Sequence, residues 1–157
     1  MDPAIKKKAL RLITYGLFVA TSRDDSGPAA GTINWISQSS FTPPLIMVAI
    51  KGDSALHRAV TASRRFIVHV PGRDQKELAS AFFRGAELSG DRLNGYRIED
   101  RDGIPLLVDP PAWIECRVVN NVGGGDHTVF VAEVVEAAVR RDAEPLTLRD
   151  TGFFYGG

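Results

Sequence analysis

The sequence predicts a mainly β protein with short helices, a small β-barrel carrying helical excursions, and three observations lead there. In the last third, Ala112, Ile114, Cys116 and Val118 alternate with Trp113, Glu115, Arg117 and Val119, and a valine-rich stretch from His127 to Val139 follows the turn Gly123-Gly124-Gly125-Asp126. A period of two over that length is the mark of paired strands. Earlier apolar segments are short, rich in β-branched and aromatic residues, and bounded by Gly, Pro, Asp and Ser, as strands between turns are. Helical patterns are brief and do not alternate regularly with the strands, which argues against a doubly wound sheet. About six strands, mostly joined by hairpins, with two or three short helices satisfy all three observations.

Taken in order, Ile5, Ala9, Leu12 and Ile13 repeat at helical spacing behind Pro3, so a short amphipathic helix is expected over Ala4 to Ile13. Leu17 to Thr21 reads as a strand, Ser22 to Pro28 as a turn, and Ala29 to Ser37 as the returning strand. Pro43-Pro44 excludes a central-strand position there, and Leu45 to Ile50 follows as a buried strand. Ala55 to Ala62 reads as a helix that Asp53 or Ser54 could cap, and Phe66 to Val70 as another strand. Asp74-Gln75-Lys76-Glu77 has the spacing of a capping box ahead of Leu78, Ala79, Phe82 and Phe83. Gly85 to Pro111, with its glycines and prolines, is expected to be a long and mostly irregular connection.

Composition narrows the function classes. The 157 residues carry 19 basic and 19 acidic side chains, a formal charge of zero, with 44% hydrophobic and 24% charged residues. Disorder requires low hydrophobicity or high net charge, and nucleic-acid binding over a broad surface requires a basic surplus; neither is expected. One cysteine, Cys116, cannot form an internal disulfide, and no Cys/His cluster offers a zinc site. A chain of this length can bury roughly 70% of its unfolded surface, enough for one core, so a single domain over 1–157 is expected. The longest apolar run, Leu45 to Ile50, is far short of the ~20 residues that span a bilayer. With no signal segment and no paired cysteines, the cytoplasm is the default compartment.

Several chemistries find no support. There is no Gly-x-Ser-x-Gly elbow, no P-loop and no dinucleotide glycine fingerprint. Cys116 shares a strand face with Ile114 and Val118 and reads as a small core residue. His57, His69 and His127 are scattered, and His69, inside an apolar strand, reads as structural. Three segments are chemically equipped, each with a plainer reading beside it. Gly31 to Ser40 is polar where a core strand would be apolar; its Thr, Asn, Ser and Gln side chains suit the carbonyls and ring nitrogens of a heterocycle, or simply form a solvated edge. Lys51-Gly52-Asp53-Ser54 at a helix start suits a phosphate, or is an ordinary cap. Gly124-Gly125-Asp126-His127-Thr128 puts a histidine at the mouth of a long strand, or is a surface turn.

Taken together, Thr32-Ile33-Asn34-Trp35-Ile36-Ser37-Gln38-Ser39-Ser40-Phe41-Thr42-Pro43-Pro44-Leu45, then Gly125-Asp126-His127-Thr128 and Glu133-Val134, resemble the flavin reductase-like family, from about Ala9 to the closing Gly157. The resemblance implies an FMN-binding split β-barrel, a homodimer with FMN near the subunit interface, and an oxidoreductase that passes a hydride from NADH or NADPH to flavin. It sets Thr32, Asn34, Trp35, Ser37 and Gln38 against the flavin ring and ribityl chain, Lys51 and Ser54 at the phosphate, and His127 on the nicotinamide side. Trp35 stands where many relatives carry a small residue. Reduced flavin would serve free flavin, an iron chelate, or a partner monooxygenase or electron-transfer protein. A non-catalytic flavin- or haem-binding split barrel is the alternative.

Overall fold

A computed structural model describes residues 1–156; Gly157, where the resemblance closes, lies outside the described residues. The protein is mainly β with short helices. Strands β1 (Phe18–Asp24), β2 (Gly27–Ile33), β3 (Ile36–Ser40), β4 (Leu45–Lys51), β5 (Arg65–Val70), β10 (Ala112–Val122) and β11 (His127–Val139) form one antiparallel sheet in the order β2-β1-β5-β10-β11-β4-β3. Helix α2 (Ala55–Ser63) buries Leu56, Ala59 and Val60. Leu56 and Val60 share a core with Ile33, Phe66, Val68 and Phe130. Each such side chain contributes about 1.5–3 kcal/mol of burial.

Strand β5 lies in mid-sheet and is covered on both faces. Phe66 and Val68 face the α2 core, whereas Ile67 packs with Ile104, Leu106 and Trp113. That second layer corrects the expectation of an irregular connection over Gly85 to Pro111. The segment folds as β6 (Leu88–Ser89), β7 (Arg92–Leu93), β8 (Tyr96–Arg101) and β9 (Ile104–Leu107), an antiparallel meander. Its two-residue turns are Asn94-Gly95 and Asp102-Gly103, all four residues at positive φ. This is the type I′ geometry that matches strand twist. The buried Leu93, Ile104, Leu106 and Leu107 supply the reason to stay folded.

Two buried polar groups fasten this layer to the large sheet. The His69 ring is fully buried; its Nδ1–H donates to Val19 O at 3.0 Å and its Nε2 accepts from Leu107 N–H at 3.0 Å. Only the neutral ring can do both, and burial, with the Arg140 charge adding to it, pushes the pKa down to about 3. Glu115, 4% exposed, holds Arg65 at 2.7 Å and Arg101 at 2.9 Å. Burial alone would raise its carboxyl pKa, but the two guanidiniums outweigh that and hold it below the ordinary value.

Other expectations needed smaller corrections. Helix α1 is Pro3–Leu10, capped by Asp2 and buried nowhere, so it stops short of Ile13. The first hairpin turns on Asp25-Ser26 alone, with Asp24 opposite Gly27. Ser22 stays in the strand because its hydroxyl donates to Arg65 O at 2.7 Å. The capping box at Asp74 is not formed: Gln75 occupies the N-cap position of α3 (Lys76–Ala81) without a side-chain bond to it. Its side chain instead accepts from Gly72 N–H and donates to Asp109 O. Cys116 packs fully buried in the α2 core with Val118, just past a bulge between Glu115 and Cys116. No helix among the described residues is long and apolar enough to cross a membrane.

Candidate active site

A cleft of about 680 Å³ opens where β2 and β4 end and β11 and α2 begin. Its lining includes Gly31, Thr32 and Asn34 from β2 and its end, Lys51 from the end of β4, Ser54, Ala55 and Leu56 from the start of α2, and His127. Strand register produces this meeting. Lys51 is the last residue of β4 and pairs with His127, the first of β11, although the two are far apart in sequence. Gly52 N–H donates to Asp126 O at 2.9 Å and fixes the two turns together.

At the start of α2, the Ser54 hydroxyl donates to Lys51 O at 2.8 Å and accepts from His57 N–H at 3.1 Å. It is therefore the helix cap. Among the described residues the amides of Ala55 and Leu56 have no partner, and both residues line the cleft. Two free amides at the positive end of a helix, beside the Lys51 ammonium, form a place for a dianion. Lys51 is exposed and also lies 3.2 Å from Asp53.

On the β2 side, the Thr32 hydroxyl donates to Ala79 O and its amide to Phe82 O at 3.3 Å, tying β2 to the end of α3. Asn34 and Trp35 bridge β2 and β3. Trp35 O accepts from Ala49 N–H at 2.9 Å, which pins this crossing to β4. Asn34 is 5% exposed, and among the described residues both its Nδ2 and the Trp35 Nε1 are buried donors without a partner. Buried polar atoms are nearly always satisfied, so the Asn34 orphan in the cleft lining marks a place for a ligand acceptor, whereas Trp35 Nε1 lies against Gly156 and outside that lining. Ser37 and Gln38 are not brought into this cleft. They lie exposed on the end strand β3, opposite Met47 and Ile46, and among the described residues their side chains bond only along their own strand.

His127 sits in a cluster of rings. Its centroid is 4.6 Å from that of Trp35 and 6.1 Å from that of Tyr155, and Trp35 meets Tyr155 edge-on at 5.5 Å. His127 Nδ1 is 2.9 Å from Asp126 Oδ1, and Nε2 is 2.8 Å from the Tyr155 hydroxyl. The imidazole hydrogen bond holds the Asp126 carboxyl below its usual range. Tyr155 belongs to the chain that follows α4 (Leu148–Thr151) and folds back across the cleft.

Sequence reasoning did not single out Phe83, Arg84 or the tail Phe153-Phe154-Tyr155 as site residues, yet all five line the cleft. Arg84 stands immediately before the segment expected to be irregular, Gly85 to Pro111. The run of aromatics at the C-terminus was the one available signal. The assembled groups offer a cation and free amides for a phosphate, unpaired N–H donors for a heteroaromatic edge, and flat side chains for a planar ring. Among the described residues no group of three metal-ligating side chains exists.

Comparison with known proteins gives the same answer. The model of the flavin reductase like domain matches residues 10–157. The chain is 33% identical over 147 residues to the FMN reductase (NADH) SmoA of Agrobacterium fabrum, covering 94% of this chain and 82% of that protein. It is 31% identical over 137 residues to the reductase component of a 4-nitrophenol 4-monooxygenase/4-nitrocatechol 2-monooxygenase from Rhodococcus opacus, covering 87% of this chain and 72% of the relative. The solved NADH:FAD oxidoreductase SgcE6 of Streptomyces globisporus, in complex with NAD and FAD fragments, superposes with a TM-score of 0.80 at 26% identity over 100% of this chain and 96% of that one.

Proposed function

Because the chain belongs to the flavin reductase-like domain family, we propose that it is an FMN-dependent oxidoreductase that passes a hydride from NAD(P)H to flavin. The observation that carries this is the buried Asn34 Nδ2, unpartnered among the described residues, in the wall of a cleft whose lining also holds a helix N-terminus and a lysine. Such a wall fits a ligand with a polar heteroaromatic ring and a phosphate, which FMN has.

When bound, the flavin supplies the redox chemistry, accepting two electrons as hydride for delivery to an acceptor. The protein's work is placement. Lys51 and the Ala55 and Leu56 amides hold the phosphate, while the Ser54 hydroxyl keeps the helix start in place. Asn34 and Trp35 offer donors to ring oxygens and nitrogens, where negative charge gathers on reduction. Thr32 fixes the β2 wall, and His127 orients the nicotinamide. Ser37 and Gln38 lie outside one chain's cleft, and we assign them to contacts made across the interface of a homodimer. The exposed Met47, Val119 and Val122 support pairing through the outer face of the large sheet.

The finer readings belong to the same proposal: residues 1–157 as one domain, a split barrel, action in the cytoplasm, and reduced flavin passed to a monooxygenase or electron-transfer protein. The named relatives support NADH as donor and a monooxygenase as acceptor. They lend no support to a non-catalytic flavin- or haem-binding barrel. The test is NADH oxidation, followed at 340 nm, with excess free FMN. Sustained turnover is expected, and Asn34→Ala should weaken FMN binding about tenfold, ~1.4 kcal/mol. A protein that neither binds flavin nor oxidises NADH in its presence refutes the proposal.

A further inference from the structure

Both ring nitrogens of His127 are already engaged. Asp126 is held in its ionised form and can only accept, so Nδ1 carries the proton and donates to Oδ1 at 2.9 Å. In the Nδ1–H tautomer Nε2 is an acceptor, and the Tyr155 hydroxyl, 2.8 Å away, donates to it. An acceptor at that position suits the amide N–H of a nicotinamide carboxamide. The tyrosine fills the same demand.

The tail that brings Tyr155 there is rooted in an apolar cluster at Phe153. Phe153 packs beside Leu17, Ala79 and Leu146 and meets Phe83 edge-on at 5.1 Å. Beyond it, Phe154 is 76% exposed and Tyr155 46% exposed. This outer part is held by an Arg11 bond to Gly156 O at 3.4 Å, the Arg11 guanidinium 5.0 Å over the Phe154 ring, and the ring cluster itself. Among the described residues these contacts are few and exposed, and contacts of that kind open at low cost. Gly156 also lies against the Trp35 edge, where a Cβ would come within 3.5 Å of Cζ2, so the closed tail covers the indole as well as the imidazole.

We infer that Tyr155 competes with the nicotinamide for His127 Nε2, making the C-terminal tail a gate on the dinucleotide side of the cleft. This rests on the reading of the cleft as an NAD(P)H:flavin site. Binding must exchange one O–H···N bond for one N–H···N bond and swing the tail outward from Phe153.

The experiment uses the full chain, with and without FMN, and titrates NADH by calorimetry against wild type, Tyr155→Phe and a chain ending at Phe154. Both variants lack the competing hydroxyl, so NADH Kd should fall roughly threefold to tenfold, the worth of one neutral hydrogen bond. KM for NADH should fall with it. Histidine ¹⁵N spectra give a second readout: the His127 Nε2 resonance should move in Tyr155→Phe while the ring keeps its Nδ1–H tautomer. Unchanged or raised NADH Kd in both variants, with wild type binding NADH normally, overturns the gate alone. Wild type that binds flavin but not NADH overturns the gate together with the dinucleotide reading.

Discussion

Protonating His69 should unfasten the meander from the large sheet, and the energy of that event can be worked from its surroundings. The fully buried ring uses Nδ1–H to donate to Val19 O and Nε2 to accept from Leu107 N–H. Adding a proton abolishes the acceptor and buries a charge. With a native pKa of about 3 against 6.5 unfolded, the unfolded chain binds the proton first as pH falls. Stability from this group is therefore complete above pH ~6.5 and lost progressively below it. The loss is about 1.4 kcal/mol at pH 5.5 and about 2.7 kcal/mol at pH 4.5, with a ceiling near 5 kcal/mol. Urea unfolding at pH 7.5, 6.5 and 5.5, on wild type and His69→Gln, isolates it. The variant should be less stable at pH 7.5 by about 1–3 kcal/mol, because one buried partner is left unmatched. Its pH dependence should be shallower by about 1.4 kcal/mol over that range. Parallel pH profiles for the two proteins would refute the neutral-bridge account.

Burial pushes the Cys116 thiol up to about 12, so native protein at pH 8 should resist thiol reagents, with labelling only at the rate of unfolding. Glu115→Gln should cost about 1–2 kcal/mol in urea unfolding, because it leaves Arg65 and Arg101 facing a neutral group while solvent reaches both guanidiniums. Ser54→Ala should cost about 1 kcal/mol of stability through the lost helix cap. Lys51→Ala should leave stability within about 0.5 kcal/mol, since its pair with Asp53 is exposed. In that variant FMN binding should weaken and lose part of its salt dependence, as titrations at two ionic strengths would register.

The strands were legible wherever alternation and punctuation agreed, as in β4, β5, β10 and β11. The meander was missed because Asn94-Gly95 and Asp102-Gly103 were read as loop residues rather than as two-residue hairpin turns with φ positive at both positions. The Asp74 box had the right spacing and failed because Gln75 found partners in Gly72 and Asp109, the latter from a distant segment. Pattern rules weigh only neighbours along the chain, and such competition is invisible to them.

The same boundary runs through the site. Chemistry intrinsic to a side chain or a local turn could be read directly: a helix start beside Lys51, a polar crossing at Asn34, a histidine after a glycine turn, a cysteine on an apolar face. Which of these share a cleft depends on register, and register depends on packing over the whole sheet. It pairs Lys51 with His127 and leaves Ser37 and Gln38 on an exposed strand outside the cleft. It also depends on chain return, since Tyr155 reaches His127 only because Phe153 finds an apolar slot under the last helix. Local propensity acts over a few residues, whereas burial of apolar surface acts between segments of any separation. Element types and candidate chemistry therefore follow from the string of residues, and their meeting in one site from the fold.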